Sequence, residues 1–475
     1  MKQYMKSNST TQIVNSLRTD NDRGRRWTLM EKLFMGLTLQ QYIAQAIRNP
    51  FNWFLALIFA VGFPVIIGRF IFGLEWATGG PQSNAWGLFL GFGLFGMVPL
   101  SSSGFQMGSA VEVFGRHDME PLERLGILNG ILGYLFAVIF LMCDLGQPWR
   151  LPYPMVVSWG PASVLFLVAW HVATYLSVQA AEMSTPFFEW MGWPAGRTVI
   201  KKMALGLAVA GIILSTLHQG ALGALSSYAP GKIHPLWYSS SFQWLYFFVS
   251  SLPGGLCMVI VVSTIVIKTM SWRCDDNFKL NLDKLHISLA KGASMGLFTY
   301  FVIRMVGVAH DNKWAYLGTG WGAWWMFEIG VGVILSMILL TIGARNKNLT
   351  MIRLGAWLTI LGVILNRLNV YMITFNWKHG EIEIPPWREF MITITIYCVY
   401  IATYRFILYR WPVLFRWKTQ YSEYTVLDAK PATIAAIAQP EARASRQPKL
   451  PQWHCGPSAS IVIWPNSPAQ PSAPE

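Results

Sequence analysis

The sequence predicts an all-α polytopic membrane protein with about ten transmembrane helices. Three observations carry this. Of 475 residues, 53% are hydrophobic and only 13% are charged, about half the charged share of an ordinary soluble domain. The mean hydropathy is +0.38. Ten runs are long enough to cross about 30 Å of hydrocarbon at 1.5 Å per residue. A soluble fold of this composition would expose too much apolar surface, and a disordered chain needs the opposite balance.

Residues 1–50 read as a cytoplasmic segment. Its first thirty residues are polar, without the apolar core of a signal peptide. Within it, 28–48 is amphipathic and too polar to span, which predicts an interfacial or docking helix. The ten-helix domain covers 51–412. Its runs are 51–74, 85–112, 122–144, 155–180, 201–224, 242–268, 285–309, 322–343, 351–375 and 387–410. They are numbered spans 1 to 10 below. Residues 413–475 form a second cytoplasmic segment. From about 429 it is rich in Ala, Pro and Ser, with nine prolines between Pro431 and Pro474, the composition of a disordered tail.

The net charge is +14, from 37 Lys and Arg against 23 Asp and Glu. In a soluble chain that would suggest nucleic acid. Here the basic residues fall between apolar runs, so they report orientation. With the N-terminus inside, the inner loops and flanks carry twelve: Arg116, Arg124, Arg197, Lys201, Lys202, Lys268, Arg273, Lys279, Lys284, Arg345, Lys347 and Arg353. The outer loops carry five: Arg150, Lys232, Lys313, Lys378 and Arg388. Arg416 and Lys418 add to the inner side. Both termini are therefore expected in the cytoplasm. Cys143, Cys257, Cys274, Cys398 and Cys455 stand far apart with no CxxC pair. Covalent haem c and a cysteine-ligated cluster are not expected.

A charge at the bilayer centre costs about 2.5–3.5 kcal/mol or more, so each intramembrane ionisable group asks for a reason. The candidates are Arg69, Asp144, His171, His218, Lys291, Arg304, Glu328 and Arg367. Lys291 lies near an inner end, where it can snorkel. Most of the others fall in the outer half. Asp144 ends span 3, His218 is in the outer third of span 5, and His234 follows in the outer loop. His171 is placed near the middle of span 4. Spans 2–5 add Gln106, Asn129 and Tyr134. Spans 7–9 group Arg304, Glu328, Asn366 and Arg367. Pro99 and the Ser101–Ser103 run in span 2 permit close packing or free backbone groups for a ligand.

A quinone suits such a cluster. Its carbonyls need hydrogen-bond donors, and its reduction takes up protons that imidazole and carboxylate can deliver. The plainer alternative is that these groups only lock helices together. Arg304 and Glu328 suit a structural ion pair equally well. Two haems b need facing histidine pairs. No span holds two histidines; His171 with His218 is one conceivable axial pair.

At these residues the chain resembles the NrfD/PsrC family of quinone-interacting membrane subunits, in its ten-span, HybB-like branch. The carrying stretches run from Asp144 to Tyr153 (Asp-Leu-Gly-Gln-Pro-Trp-Arg-Leu-Pro-Tyr), Thr216 to Gly223 (Thr-Leu-His-Gln-Gly-Ala-Leu-Gly) and Lys232 to Trp237 (Lys-Ile-His-Pro-Leu-Trp). Further support comes from Asn84 to Gly87, Phe327-Glu328 and Asn366-Arg367. The resemblance covers about residues 50–412.

It implies two four-helix bundles, here about 85–224 and 242–375, with no haem or iron–sulfur cluster in this chain. It implies menaquinone, or another quinone, bound in the first bundle near the periplasmic face. Asp144, His171 and His218 match positions near that pocket, with His234, Tyr134 and Gln106 as further candidates and no metal ligands. Arg304, Glu328, Asn366 and Arg367 fit a proton route or a structural network. The implied partner is a periplasmic, ferredoxin-like iron–sulfur subunit, with a multihaem cytochrome c or a molybdopterin- or hydrogenase-type subunit beyond it. The expected function is electron exchange between the menaquinone pool and that partner in a bacterial inner membrane, with proton translocation as a further option. The rival readings are an ion or proton transporter with helices broken at Pro64, Pro99 or Pro253, and a passive anchor.

Overall fold

The computed structural model describes residues 28–79, 86–271, 274, 276–379 and 384–414. The segment before residue 28, Asn84, Arg273, Arg416, Lys418, Cys455 and the proline-rich tail lie outside the described residues. Two short helices open the description, Leu29–Leu33 and Leu39–Arg48. Each starts with a capping box, on Thr28 with Glu31 and on Thr38 with Gln41.

Among the described residues, nine helices are long and apolar enough to cross a membrane. They are Pro50–Phe72 (span 1), Glu120–Asp144 (span 3), Val164–Met191 (span 4), Pro194–Ser227 (span 5) and Gln243–Thr269 (span 6). The rest are Asp276–His310 (span 7), Gly320–Arg345 (span 8), Leu349–Ile373 (span 9) and Trp387–Arg410 (span 10). The tenth run, span 2, is an interrupted helix. It comprises a π-helical turn Phe89–Leu94, α-helices Phe95–Leu100 and Ser103–Gly108, and a second π-helical turn Ser109–Val113.

The break falls at Ser101-Ser102, just after Pro99, which removes a backbone donor. Ser101 Oγ donates to the Met97 carbonyl at 2.8 Å, and Ser102 Oγ to the carbonyls of Pro99 and Ser251, both at 2.7 Å. Pro64 and Pro253, the other expected breaks, sit inside unbroken helices. Gln106 Nε2 donates to the Leu252 carbonyl at 3.1 Å, so span 2 serves carbonyls beside Pro253. Neighbouring donors of this kind let a transmembrane helix tolerate proline.

Span 4 begins at Val164, not near 155. The Gly160-Pro161 step disfavours helix at the residue before proline. At its other end span 4 runs on to Met191 through a polar stretch. There buried Glu189 takes both guanidinium nitrogens of Arg124, at 2.7 and 2.9 Å, and Arg197 Nε at 2.8 Å. Arg124 Nη1 also donates to the Pro412 carbonyl at 2.7 Å. One carboxylate thus ties spans 3, 4 and 5 to the segment after span 10.

Spans 2–5 and 6–9 form two four-helix bundles. Span 6 packs along both halves of span 2 and joins the bundles, while spans 1 and 10 pack on each other outside. Spans 8 and 9 cross at a glycine pair, where a Cβ added to Gly332 would stand 2.8 Å from Gly362 Cα. Only small residues allow backbones that close.

The loop after span 5 is strapped onto the second bundle. Ile233 bridges Phe375, and Asn376 N donates to the Lys232 carbonyl at 2.7 Å. His234 is buried there against Trp237, Tyr316, Trp321 and Trp377, with ring centroids 4.7–5.7 Å away. Burial pulls its imidazole down to about 4. Nearby, Lys313 and His310 hold the Asp311 carboxyl below its usual range, although its own burial opposes this.

Two outcomes are expected. Glu189→Ala leaves two arginines facing each other and destabilises the fold by about 3 kcal/mol, read as a lower thermal midpoint in detergent. His234 binds its proton more weakly folded than unfolded, so its contribution is complete above about pH 6.5 and is lost as the pH falls toward 4. His234→Gln should flatten the stability curve across that window relative to wild type.

Candidate functional site

Polar side chains gather at three places, two in the first bundle and one in the second. The deepest centres on spans 3, 4 and 5. Tyr134 and His218 are both buried, and the Tyr134 hydroxyl hydrogen-bonds His218 Nε2. Gln219 Nε2 donates to the same hydroxyl at 3.0 Å and to the Val98 carbonyl of span 2 at 2.9 Å. Tyr175 packs on both rings, with centroids 4.8 Å from Tyr134 and 5.2 Å from His218. His218 Nδ1 faces the Leu214 carbonyl one turn back without closing a well-formed hydrogen bond. His171 lies within Coulombic reach of His218. It is half-buried, and its Nδ1 and the neighbouring Trp170 Nε1 have no partner among the described residues. Trp159 and Phe166 pack beside Trp170, at centroid distances of 5.2 and 6.2 Å.

Helical rise sets the depth of this group. Tyr134 is ten residues from the end of span 3, about 15 Å, and His218 is nine from the end of span 5, about 13 Å. The late start of span 4 puts His171 about 10 Å from the same end, shallower than the mid-span position expected from hydropathy. All three residues therefore lie between the outer third and the middle of the membrane-spanning helices.

A polar link leads away from this group toward the Glu189 end. On span 4, His171, Tyr175, Gln179 and Glu182 follow at steps of four, four and three, which keeps them on one helix face. Gln179 Nε2 donates to Tyr175 Oη at 3.0 Å and to Glu182 Oε2 at 3.1 Å. Its amide fills space left by two glycines, since a Cβ on Gly104 or Gly130 would stand 2.5 or 2.3 Å from its Oε1. Glu182 then borders a cavity of about 210 Å³, also lined by Glu112, His117, Glu120, Glu123 and Lys201. Glu112, His117 and Glu120 are exposed at its mouth.

Asp144 marks a separate, shallower place. Buried Arg69 of span 1 donates from Nε to the Cys143 carbonyl at 2.7 Å and from Nη2 to the Leu145 carbonyl at 2.6 Å. It thereby clamps the backbone on either side of Asp144. The guanidinium offsets the unfavourable meeting of a carboxylate with the negative end of span 3. Buried Glu389 of span 10 is also within Coulombic reach of Asp144 and accepts from Leu88 N at 2.5 Å.

The second bundle holds the third place. Glu328 accepts from Trp237 Nε1 at 2.5 Å, Asn366 Nδ2 at 2.7 Å and Asn369 Nδ2. Arg367 donates to Asn366 Oδ1 at 2.7 Å and to Ser250 Oγ at 2.8 Å, and it stacks 3.6 Å from the Phe247 ring centroid. Arg304 does not pair with Glu328. It donates to the Leu236 carbonyl at 3.0 Å and lies 4.5 Å over Tyr246. Neutral donors satisfy Glu328 instead of the ion pair envisaged from sequence. Glu328 and Asn369 both open π-helical turns, Glu328–Leu335 and Asn369–Ile373, the kind of turn that often marks functional sites.

The structure thus pairs Tyr134 with His218, sets His171 at a similar depth within Coulombic reach, and keeps Asp144 about 15 Å from Tyr134 along span 3. It places His234 with the second bundle, through Trp237 and Glu328. Gln106 lies on the seam between spans 2 and 6, bonded to Ser102 Oγ at 3.1 Å and Leu252. Tyr175, Gln179, Glu182 and Glu389 escaped the sequence reading. The regular spacing on span 4 was the available signal for the first three. An axial pairing of His171 with His218 does not suit this geometry, because His218 Nε2 is engaged by Tyr134 and its ring is wedged between two tyrosines. Among the described residues, no group of three or more His, Cys, Asp or Glu is placed to hold a metal ion.

Comparison with known proteins agrees with this architecture. A protein of Nitratidesulfovibrio vulgaris is 39% identical over 78% of this chain and 96% of its own length. The probable Ni/Fe-hydrogenase 2 b-type cytochrome subunit of Escherichia coli is 26% identical, over 74% of this chain and 88% of its own. The integral membrane subunit of menaquinone reductase from N. vulgaris is 24% identical, over 69% and 84%. The model of the family described as polysulphide reductase, NrfD, matches residues 76–375. With nine helices long and apolar enough to cross a membrane among the described residues and a family match over well over half its length, the chain belongs to the NrfD family of integral membrane proteins.

Proposed function

We propose that this chain is the quinone-reactive membrane subunit of a respiratory oxidoreductase complex, and that the quinone ring is held at Tyr134, His171 and His218. The observation that carries this reading is the buried Tyr134–His218 pair, beside a half-buried His171 with an unpartnered ring nitrogen. Gln219 donates to Tyr134, so the hydroxyl is free to donate to His218 Nε2 and leave the imidazole proton on Nδ1. His171 Nδ1 and Trp170 Nε1, without partners among the described residues, are then the groups suited to quinone carbonyls. The relatives named for menaquinone reductase and for a hydrogenase cytochrome subunit support a place in such complexes.

A bound quinone supplies two-electron, two-proton chemistry. The chain's own part is to orient the ring, exclude water and move protons. Tyr134 and His218 exchange protons with the ring oxygens. Glu182 is the proposed proton-carrying group between them and the acidic cavity at the Glu189 end, with Gln179 donating to both Tyr175 and Glu182 and so orienting the two. The basic bias of the loops supports an orientation with that end in the cytoplasm of a bacterial cell and Asp144 toward the periplasmic face. There the connection between spans 3 and 4 exposes Trp149, Val156, Val157 and Trp159. Such apolar exposure suits a docked iron–sulfur subunit. Asp144, clamped by Arg69, lies between that surface and the ring and shapes the electrostatics of the outer pocket.

His218→Gln and Tyr134→Phe should each lower quinone-linked turnover about 100-fold, the usual weight of a positioned acid–base group, while the complex still assembles and is recovered intact. Asp144→Asn should lower it less. Unchanged turnover in all three would discard the site. Glu182→Gln should slow turnover about tenfold, at the low end for such groups, with bound quinone content unchanged. Loss of the bound quinone in that variant would give Glu182 a part in shaping the pocket and remove it from the proton route.

A further inference from the structure

Two cavities meet where spans 6 and 10 end, on the side of the bundle that carries the Leu39–Arg48 helix. One, of about 380 Å³, is lined by polar groups including Tyr42, Gln45, Asn52 and Arg410. The other, of about 610 Å³, is a groove between span 6, from Met258 to Met270, and span 10, from Tyr400 to Tyr409. Asn49, Arg405 and Tyr409 line both. The groove is otherwise mostly aliphatic and aromatic, with Val262, Ile265, Val266 and Ile401 on its walls.

Charge distinguishes this place from an ordinary lipid-facing crevice. No Asp or Glu lines either cavity among the described residues. Arg405 Nη1 donates to Asn52 Oδ1 at 3.2 Å, and its guanidinium lies 4.8 Å over Phe51. Arg410 is 4% exposed and donates to the Leu33 carbonyl at 2.8 Å, Tyr42 Oη at 2.9 Å and the Phe406 carbonyl at 3.3 Å. Both guanidinium groups therefore have only neutral partners among the described residues. A cation withdrawn from water without a counter-ion is costly, and a planar guanidinium matches a phosphate with two parallel hydrogen bonds. Length points the same way. Met258 to Met270 is twelve residues, about 18 Å of helix, close to the ~15 Å of hydrocarbon in one leaflet.

We propose that this paired cavity binds an anionic diacyl phospholipid, with its phosphate at Arg405 on the side facing Arg410 and one acyl chain in the groove between spans 6 and 10. The neighbouring Leu39–Arg48 helix, polar on one side, borders the headgroup. The lipid would supply the missing counter-charge and fasten the N-terminal helices to span 10. This site is independent of the quinone reading.

The test uses the full chain, delipidated in detergent, with phosphatidylglycerol, phosphatidylcholine or inorganic phosphate added back. Phosphatidylglycerol should raise the thermal midpoint, phosphatidylcholine much less, and inorganic phosphate alone only slightly. Arg405→Gln should bind phosphatidylglycerol about tenfold more weakly, as loss of one charged hydrogen-bonding group implies, while Arg405→Lys retains part of the response. Val262→Trp, which fills the groove and leaves the arginines in place, should reduce the lipid retained in native mass spectra. Equal responses to both phospholipids, or an undiminished response in Arg405→Gln and Val262→Trp together, would overturn the proposal. A full response to inorganic phosphate alone would also overturn it, leaving an anion pocket without a lipid.

Discussion

Inside hydrocarbon a polar group has no water to fall back on, and every buried donor or acceptor must find its partner within the protein. Much of the interior follows from that constraint. Glu328 of span 8 has three neutral donors, two from span 9 and one from the outer loop. Arg69 is spent on two carbonyls at the end of span 3. The serines after Pro99 return hydrogen bonds to the backbone and reach span 6. Some buried side-chain atoms, in both bundles, still lack a partner among the described residues. His171 Nδ1 and Trp170 Nε1 are among them, next to the Tyr134–His218 pair.

The two bundles use polar residues differently. In the second, Glu328, Asn366, Arg367 and Asn369 form a closed lattice with the outer loop, and Arg304 is held apart by a carbonyl and an aromatic face. That arrangement fixes helix positions. In the first, polar groups run in file along span 4 and end at an acidic cavity. A file with open ends can exchange protons with its surroundings, whereas a closed lattice mainly holds them. This contrast favours the first bundle as the place of chemistry.

Much of the fold was legible in the sequence because apolar run length is a direct physical requirement of the bilayer. Nine runs became continuous helices, and the tenth was interrupted where Pro99 and three serines stand together. Span 4 was displaced because hydropathy does not register the Gly160-Pro161 stop or the partners that let Glu182 and Glu189 remain helical. Of the site, Tyr134, His171 and His218 could be named from residue type and span. Their grouping could not be separated from Asp144, His234 and Gln106, because depth and facing depend on helix tilt, register and packing.

By itself the sequence determined that this chain lives in lipid, roughly where it crosses, and which costly groups it keeps inside. Those follow from composition and length, which need no neighbours. Only the tertiary structure decided which of those groups meet. His218 faces Tyr134, Glu328 is met by amides and an indole and not by Arg304, and His234 serves the second bundle. The reason is geometric. A hydrogen bond demands about 3 Å between atoms on different helices, and that distance is set by how close-packed helices cross, information spread over the whole chain.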